Sequence, residues 1–404
     1  MSGHIQDLWF SPGPDGEDRP TKRHGSGKRW KARYQDADGR ERSMSFARKA
    51  EADKFLTQVT ADILRGTYLD PDAGKITLRR YTEGQWLPSR SYDARTREEV
   101  ERRLNLHILP KLGDKRLDQL ARSPSLISGW LAGLPVGARY AGQILTVLSS
   151  VLSAAVDDGL IARNPCKVAS VRPPAVEKRK LVPWTSEQVA AARADMPERY
   201  RAMADCGSGL GLRQGEIIGL PLDAVDFLRR TVRVRLQIRH VYGKSVFALP
   251  KGKKVRDVPL PEAVSLALAE HIQKWPPLKV TLPWLEPGGK PHTETLIFTG
   301  KMRGAIESTY FNESVWHPAV RAAGLPVCRE NGMHALRHFY ASTLLRGGVD
   351  IKRVSAYLGH ASAAFTLTTY IHLLADDEER SLRDIEAALA ASKQSNVALN
   401  ATEA

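Results

Sequence analysis

His334-Ala335-Leu336-Arg337-His338, then Leu358-Gly359-His360, then Tyr370 ten residues further on, is the stretch on which the reading of this chain turns. The spacing of His334, Arg337 and His338 stacks them on adjacent turns of one helix. Working outward, two earlier segments are of the same chemical kind. Gly209-Leu210-Gly211-Leu212-Arg213-Gln214-Gly215-Glu216 carries an arginine and a carboxylate three residues apart, and Pro250-Lys251-Gly252-Lys253-Lys254-Val255-Arg256 is a basic turn between two apolar runs. His372 stands two residues beyond Tyr370.

Around these segments the chain from 180 to 391 alternates helix and strand. Thr185-Ser186-Glu187-Gln188 has the spacing of a capping box and opens a helix. Val232, Val234, Leu236 and Ile238 alternate with polar residues, which predicts one strand; Val246 to Leu249 and Val255 to Leu260 predict two more. Helices dominate from Pro261 onward, apart from a short apolar strand at Leu296-Ile297-Phe298. Residues 392–404 read as a flexible tail.

Upstream, Ile76 to Cys166 is helical in pattern, with helices over 94–108, 126–131 and 138–156, the last stopping near Gly159 with Asn164-Pro165 beyond it. Residues 75–170 make this helical domain, and the Pro-rich, basic run Arg172-Pro173-Pro174 through Lys180 joins it to the segment beginning at 180. Residues 29–66 form a small unit. Trp30, Ala32 and Tyr34 alternate with polar residues, Asp36-Ala37-Asp38-Gly39 supplies a turn, and a second strand runs through Met44 and Phe46. A helix carrying Phe55, Leu56, Val59, Ile63 and Leu64 on one face ends at Gly66, and Gly66 to Lys75 reads as a linker. Residues 1–28, rich in Gly, Pro and charge, read as disordered.

Bulk properties narrow the function classes. With 404 residues the chain holds about two to three domains. Its net charge of +15 favours a polyanionic partner, with DNA the commonest, and no basic amphipathic helix with bulky apolar anchors points to a membrane surface. Three dispersed cysteines, Cys166, Cys206 and Cys328, form no CxxC pair, so neither structural zinc nor a disulfide framework is expected. No signal core or run of roughly 18 apolar residues is evident, and a cytoplasmic location is expected.

Taken in order, the four segments resemble the active-site pattern of the tyrosine recombinases, the family of phage integrases and dimer resolvases. The resemblance covers roughly 180–391. The helical unit resembles the family's core-binding domain, and the N-terminal sheet-plus-helix resembles the arm-site-binding domain of integrases. The fold class implied is α+β, mostly helical.

The resemblance implies a nucleophile, Tyr370, that forms a covalent 3′-phosphotyrosine, with Arg213 and Arg337 clamping the non-bridging oxygens of the phosphorane. Forked, permanently charged guanidiniums suit that geometry. A phenol ionises near pH 10 and needs help to attack. His334 is placed to accept its proton, and His360 to bind the phosphate or assist the transfer. The leaving 5′-oxygen takes a proton from a lysine on a hairpin turn. Lys251 matches that position best, with Lys253 an alternative because Gly252 stands where the family usually has Thr. Glu216 matches a carboxylate that braces the site.

His338 reads as a structural helix residue, since a zinc site of the HExxH kind would need Glu where Ala335 stands. Gly207-Ser208-Gly209-Leu210-Gly211 is no nucleotide loop, because Leu212 replaces the third glycine. No cofactor and no metal are expected. The implied partners are double-stranded DNA attachment sites, a homotetramer in the synaptic complex, a directionality factor and a host DNA-bending protein, with no membrane, in the bacterial nucleoid. A dimer-resolution recombinase, a type IB topoisomerase and a non-enzymatic DNA-binding regulator are the rival functions.

Overall fold

The computed structural model describes residues 3–13, 17–36, 39–176, 182–371 and 385–386. They divide into two bodies, Met1–Ser91 with Glu99–Glu177, and Tyr92–Glu98 with Lys178–Ala404.

In the first body, strands β1 (His4–Asp7), β4 (Trp30–Gln35) and β5 (Glu41–Phe46) form an antiparallel sheet in the order β1-β4-β5, and β2 (Phe10–Pro12) pairs with β3 (Asp18–Pro20) in a separate ribbon. Residues 1–28 are therefore not a disordered lead where they are described. His4 pairs with Arg33 and Asp7 with Trp30, so the first residues supply a sheet edge. Composition misses this because the anchoring is long-range. Asp7 takes an ion pair from Arg29 at 2.8 Å, and the Arg29 guanidinium lies over the rings of Trp30, Phe10 and Trp9, at 4.7, 5.0 and 5.8 Å. Such cation–π contacts are worth roughly 0.5–1 kcal/mol each at exposed sites. Helix α1 (Lys49–Leu64) lies on the sheet, burying Ala52 and Val59 and setting Phe55 edge-on to Tyr34. The turn at Ala37 and Asp38 lies outside the described residues.

The segment after α1 is tied to this module. Arg42 pairs with Asp36, Asp70 and Asp72, and the Tyr34 and Tyr68 hydroxyls lie 3.0 Å apart. A helical unit comes next, with α2 (Leu78–Tyr81), α3 (Ala94–Arg103, whose first turns belong to the second body), α4 (Leu109–Leu112), α5 (Leu117–Arg122), α6 (Pro124–Ala132) and α7 (Ala138–Asp157). Contrary to the sequence expectation, α7 is long and apolar enough to cross a membrane. Its apolar face, with Ile144, Leu148, Val151, Leu152 and Ala155 fully buried, is consumed by the core of the unit.

The second body holds α8 (Ser186–Asp195), α9 (Glu198–Leu210), α10 (Gln214–Ile218), β6 (Val225–Asp226), β7 (Thr231–Val234), β8 (Gln237–Val241), β9 (Lys244–Ala248) and β10 (Arg256–Pro259). Beyond them lie α11 (Glu262–Lys274), β11 (Leu278–Pro283), β12 (Pro291–Leu296), α12 (Ser308–Phe311), α13 (His317–Ala322), α14 (His334–Arg346), α15 (Ile351–Leu358) and α16 (Ala363–Tyr370). The capping box forms as read: Thr185 Oγ1 accepts from Gln188 N at 3.2 Å, and Gln188 Oε1 accepts from Thr185 N at 2.9 Å.

Two strand expectations need correction. The run Val232 to Ile238 is two strands, because β7 pairs with β10 whereas β8 pairs with β9 in another sheet. A β11–β12 hairpin stands where helix was expected around 278–283. Its residues are mostly polar or half-exposed, and only Val280 and Leu296 are deeply buried, so the period-2 signal is faint. The core gathers Leu210, Phe247, Phe311, Leu336 and Leu358, with Trp184 and Trp316 stacked at 5.6 Å, a contact worth about 0.5–1.5 kcal/mol beyond burial.

Candidate active site

The site is built where helix ends converge. Helix α9 ends at Gly211 (φ 63°) and α15 at Gly359 (φ 61°), both left-handed, a conformation glycine adopts without the penalty a Cβ brings. Helix C-termini leave carbonyls unpaired and carry partial negative charge. Arg337, in the first turn of α14 and 1% exposed, answers both ends: it donates to the Gly211 carbonyl at 2.7 Å and to the Leu358 carbonyl. Burial, then repulsion by Arg213, pulls its guanidinium down to about 9, so it stays a cation at neutral pH.

Arg213 caps α10. Its backbone N–H donates to Glu216 Oε2 at 2.9 Å, its Nη1 to Glu216 Oε1 at 2.8 Å, and its Nη2 reaches the Gly359 carbonyl at 3.5 Å. Glu216 is buried and also receives Arg256, Nη1 at 3.0 Å and Nη2 at 2.7 Å, in a two-pronged pair. Burial disfavours its charge, but the Arg256 bonds and the charges of Arg256 and Arg213 outweigh that and hold the carboxyl at about 2. Arg256 further donates Nε to the Tyr357 carbonyl at 2.7 Å, which ties β10 to the end of α15. Glu216 thus joins Arg213 to Arg256, and Arg256 is a site residue to which the motifs assign no role. Only its place at the end of the basic turn hints at it.

Tyr370, the last residue of α16, is 1% exposed. Its hydroxyl lies 2.7 Å from His338 Nδ1. The hydrogen bond that His334 was expected to make is thus made by His338, one helical turn later, and the structural role expected for His338 is incomplete. Burial raises the Tyr370 phenol to about 12, against a lowering by Arg337. Burial and then Arg337 lower His338 to about 4, so the imidazole is neutral and the phenol keeps its proton.

His334 opens α14 with its ring edge-on to His338 at 4.7 Å. Although part of it faces solvent, enclosure by its neighbours and the charges of His338, Arg337 and Arg213 push its pKa down to about 3. His360 comes directly after Gly359, and its Nδ1 lies 2.7 Å from Thr366 Oγ1, which fixes the ring. Burial, then Arg337 and Arg213, lower it to about 3. Lys251 and Lys253 are both exposed on the connection from β9 to β10, strands that pair elsewhere rather than with each other. Gly252 there takes φ 80° and Lys253 φ 58°. His372 lies outside the described residues.

An open hollow of about 490 Å³ borders the site, lined by Arg213, Gln214, His317, Arg329 and His334 among others. Tyr370 is not on its wall. Cations with neutral imidazoles at two helix ends suit a phosphate, and a tyrosine held beside them suits attack on it. Among the described residues no three His, Cys, Asp or Glu side chains group as metal ligands.

Comparison with known proteins agrees with this class of site. Residues 185–377 match the phage integrase family. A putative prophage phiRv2 integrase of Mycobacterium tuberculosis is 27% identical over 351 residues, spanning 84% of this chain and 88% of that protein. Among solved structures, the Tn1549 transposon integrase with circular intermediate DNA superposes with a TM-score of 0.64 at 19% identity, over 76% of this chain and 99% of that one. A lambda integrase tetramer bound to a Holliday junction gives 0.56 at 18% identity, over 83% and 91%. The chain belongs to the tyrosine recombinase family. It is a tyrosine-type site-specific recombinase, an enzyme of DNA strand exchange.

Proposed function

We propose that this recombinase works as an integrase, inserting and excising a mobile element by cutting and rejoining DNA through Tyr370. The observation that carries the reading is the meeting of Arg213 and Arg337 at the Gly211 and Gly359 helix ends, with Tyr370 held from the same helix that bears Arg337. In this reading the tyrosine oxygen attacks the scissile phosphorus and a 3′-phosphotyrosine forms. Arg213 and Arg337 hold the two non-bridging oxygens, His360 and His334 donate to the same phosphate, and Lys251 protonates the departing 5′-oxygen, with Lys253 its alternative. Glu216 and Arg256 brace Arg213. A preorganised donor of this kind is worth ~10²–10³ in rate.

The domain plan proposed alongside is an arm-binding module at 29–66, extended by the strands before it, a core-binding helical domain at 75–170, a catalytic domain at 180–391 and a tail at 392–404. The charge of +15 and the DNA-bound relatives support double-stranded attachment sites as substrate. The lambda tetramer on a Holliday junction supports four protomers acting together on two duplexes. A directionality factor, a host DNA-bending protein and a place in the bacterial nucleoid complete the reading.

The test is a nicked suicide duplex spanning the junction of element and chromosome, incubated with wild type, Tyr370→Phe and Arg213→Ala. An SDS-stable protein–DNA adduct in wild type alone is the expected result. Binding by all three proteins with no adduct from any would overturn the reading in favour of a DNA-binding regulator.

A further inference from the structure

His338 is the side chain in contact with the nucleophilic oxygen, and the chemistry of the arginines, lysines and other histidines leaves it without a role. We propose that His338 takes the proton from Tyr370 as the tyrosine attacks the scissile phosphate, and returns it when the strand is rejoined. The proposal rests on Tyr370 being the nucleophile and adds the fate of its proton.

The geometry permits the transfer, and the protonation states of the two groups give its direction. His338 Nδ1 and Tyr370 Oη are 2.7 Å apart, within the 2.6–3.2 Å reach a general base needs. With the phenol protonated and the imidazole neutral, Oη–H donates to Nδ1, and the ring then carries its own hydrogen on Nε2. In the forward step the Oη–P bond forms, the Oη proton moves to Nδ1, and the P–O5′ bond breaks with the departing oxygen protonated from the lysine turn. In the reverse step the 5′-hydroxyl attacks and returns its proton to the lysine turn, the O5′–P bond forms, the P–Oη bond breaks, and the Tyr370 oxygen takes its proton back from Nδ1. Protons and bonds balance, with no co-reactant beyond the DNA.

The groups facing this pair set when the transfer occurs. On α14 they are Arg337, one residue before His338, and His334, whose ring meets it at 4.7 Å; His360 comes from beyond α15 and Tyr370 from α16. Burial, and after it Arg337, keeps His338 from charging, and Arg213 adds to the positive field at Arg337 and His334, so in free protein the proton stays on the phenol. A phosphodiester seated between the two arginines cancels that field, and the phosphorane adds further negative charge. The arginine part of the penalty on the imidazolium is then lifted, and the negative phosphate and phosphorane offset the part that burial imposes. The phosphate that is to be cut thereby switches on the base that activates its attacker, and a tyrosine with no phosphate before it stays inert.

The experiment uses the full chain and measures the single-turnover rate of adduct formation on the suicide duplex, with duplex binding by gel shift alongside. His338→Ala is expected to slow the adduct by ~10²–10⁴-fold without loss of binding. His338→Gln can still hydrogen-bond the hydroxyl but cannot carry the proton, and it is expected to be equally slow. A duplex with a bridging 5′-phosphorothiolate, whose sulfur leaves without a proton, should rescue Lys251→Ala and leave His338→Ala slow. Added imidazoles should restore His338→Ala in proportion to their basicity. A wild-type rate in His338→Gln, or rescue of His338→Ala by the phosphorothiolate, overturns the proposal. If wild type forms no adduct, or Tyr370→Phe still forms one, the nucleophile assignment itself falls and this inference goes with it.

Discussion

At the scale of single residues, the strongest dependence is on Glu216. It is the common partner of two arginines, and removing one member of a buried ion pair typically costs about 3–5 kcal/mol because the other charge is left stranded. Glu216→Ala should lower the unfolding free energy of the catalytic body by that order and strand Arg256, measured by thermal or urea melts monitored at tryptophan. The site histidines predict a pH effect with a definite sign. Folded His334, His338 and His360 have pKa values depressed to about 3, 4 and 3, while unfolded histidine titrates near 6.5. The unfolded chain therefore binds more protons in between, and stability should fall as pH drops from about 6.5 toward 4. Glu216, held at about 2, adds to the loss below its unfolded value of 4.5. A melting temperature that is flat between pH 7 and 5 would contradict the depressed histidines. The motifs and their order picked out Arg213, Arg337, Tyr370, His360 and Glu216 as candidates, and the structure sets Arg213 and Arg337 at the two helix ends with Glu216 against Arg213. The partner of the Tyr370 hydroxyl was not, because His334 and His338 stand one turn apart on the same face of α14. The sequence does not say which of the two meets α16.

At the scale of elements, the site depends on how two helices end. A Cβ at Gly211 would lie 2.4 Å from the Tyr340 ring, and left-handed φ costs other residues roughly 1–2 kcal/mol. Gly211→Ala should therefore destabilise the body and displace the carbonyl that orients Arg337. A drop in adduct rate larger than the loss of folded protein, measured on the soluble fraction, checks it. Helix α16 begins at Ser362, whose Oγ accepts from Phe365 N at 3.3 Å, and Ser362→Ala should loosen that first turn by about 1 kcal/mol, read as faster amide exchange along α16. Long amphipathic helices such as α7 and the boxed start of α8 were legible because their signals are local. The β11–β12 hairpin was not, because its alternation is faint, and the edge strand β1 was not, because it is held by distant partners such as Arg33 for His4.

At the scale of the whole molecule, charge and modularity make the predictions. If the interface neutralises six to ten phosphates, raising salt from 50 to 200 mM should weaken duplex binding by ~10³–10⁵, and a flat titration would remove the proposed DNA interface. Because Tyr68, Asp70 and Asp72 are tied to Tyr34 and Arg42, the N-terminal module extends through the segment read as linker. A truncation starting after residue 75 should lose arm-site binding and keep core-site cleavage, whereas one starting at residue 66 leaves three exposed stubs without partners. The near-complete burial of Tyr370 has a consequence for the genome that carries its sites. An ester formed in a recess closed to bulk solvent is poorly placed for hydrolysis, which would leave an unsealed end for repair enzymes to find. The sheltered oxygen makes the broken strand a loan against its own resealing, so an aborted exchange returns the chromosome whole.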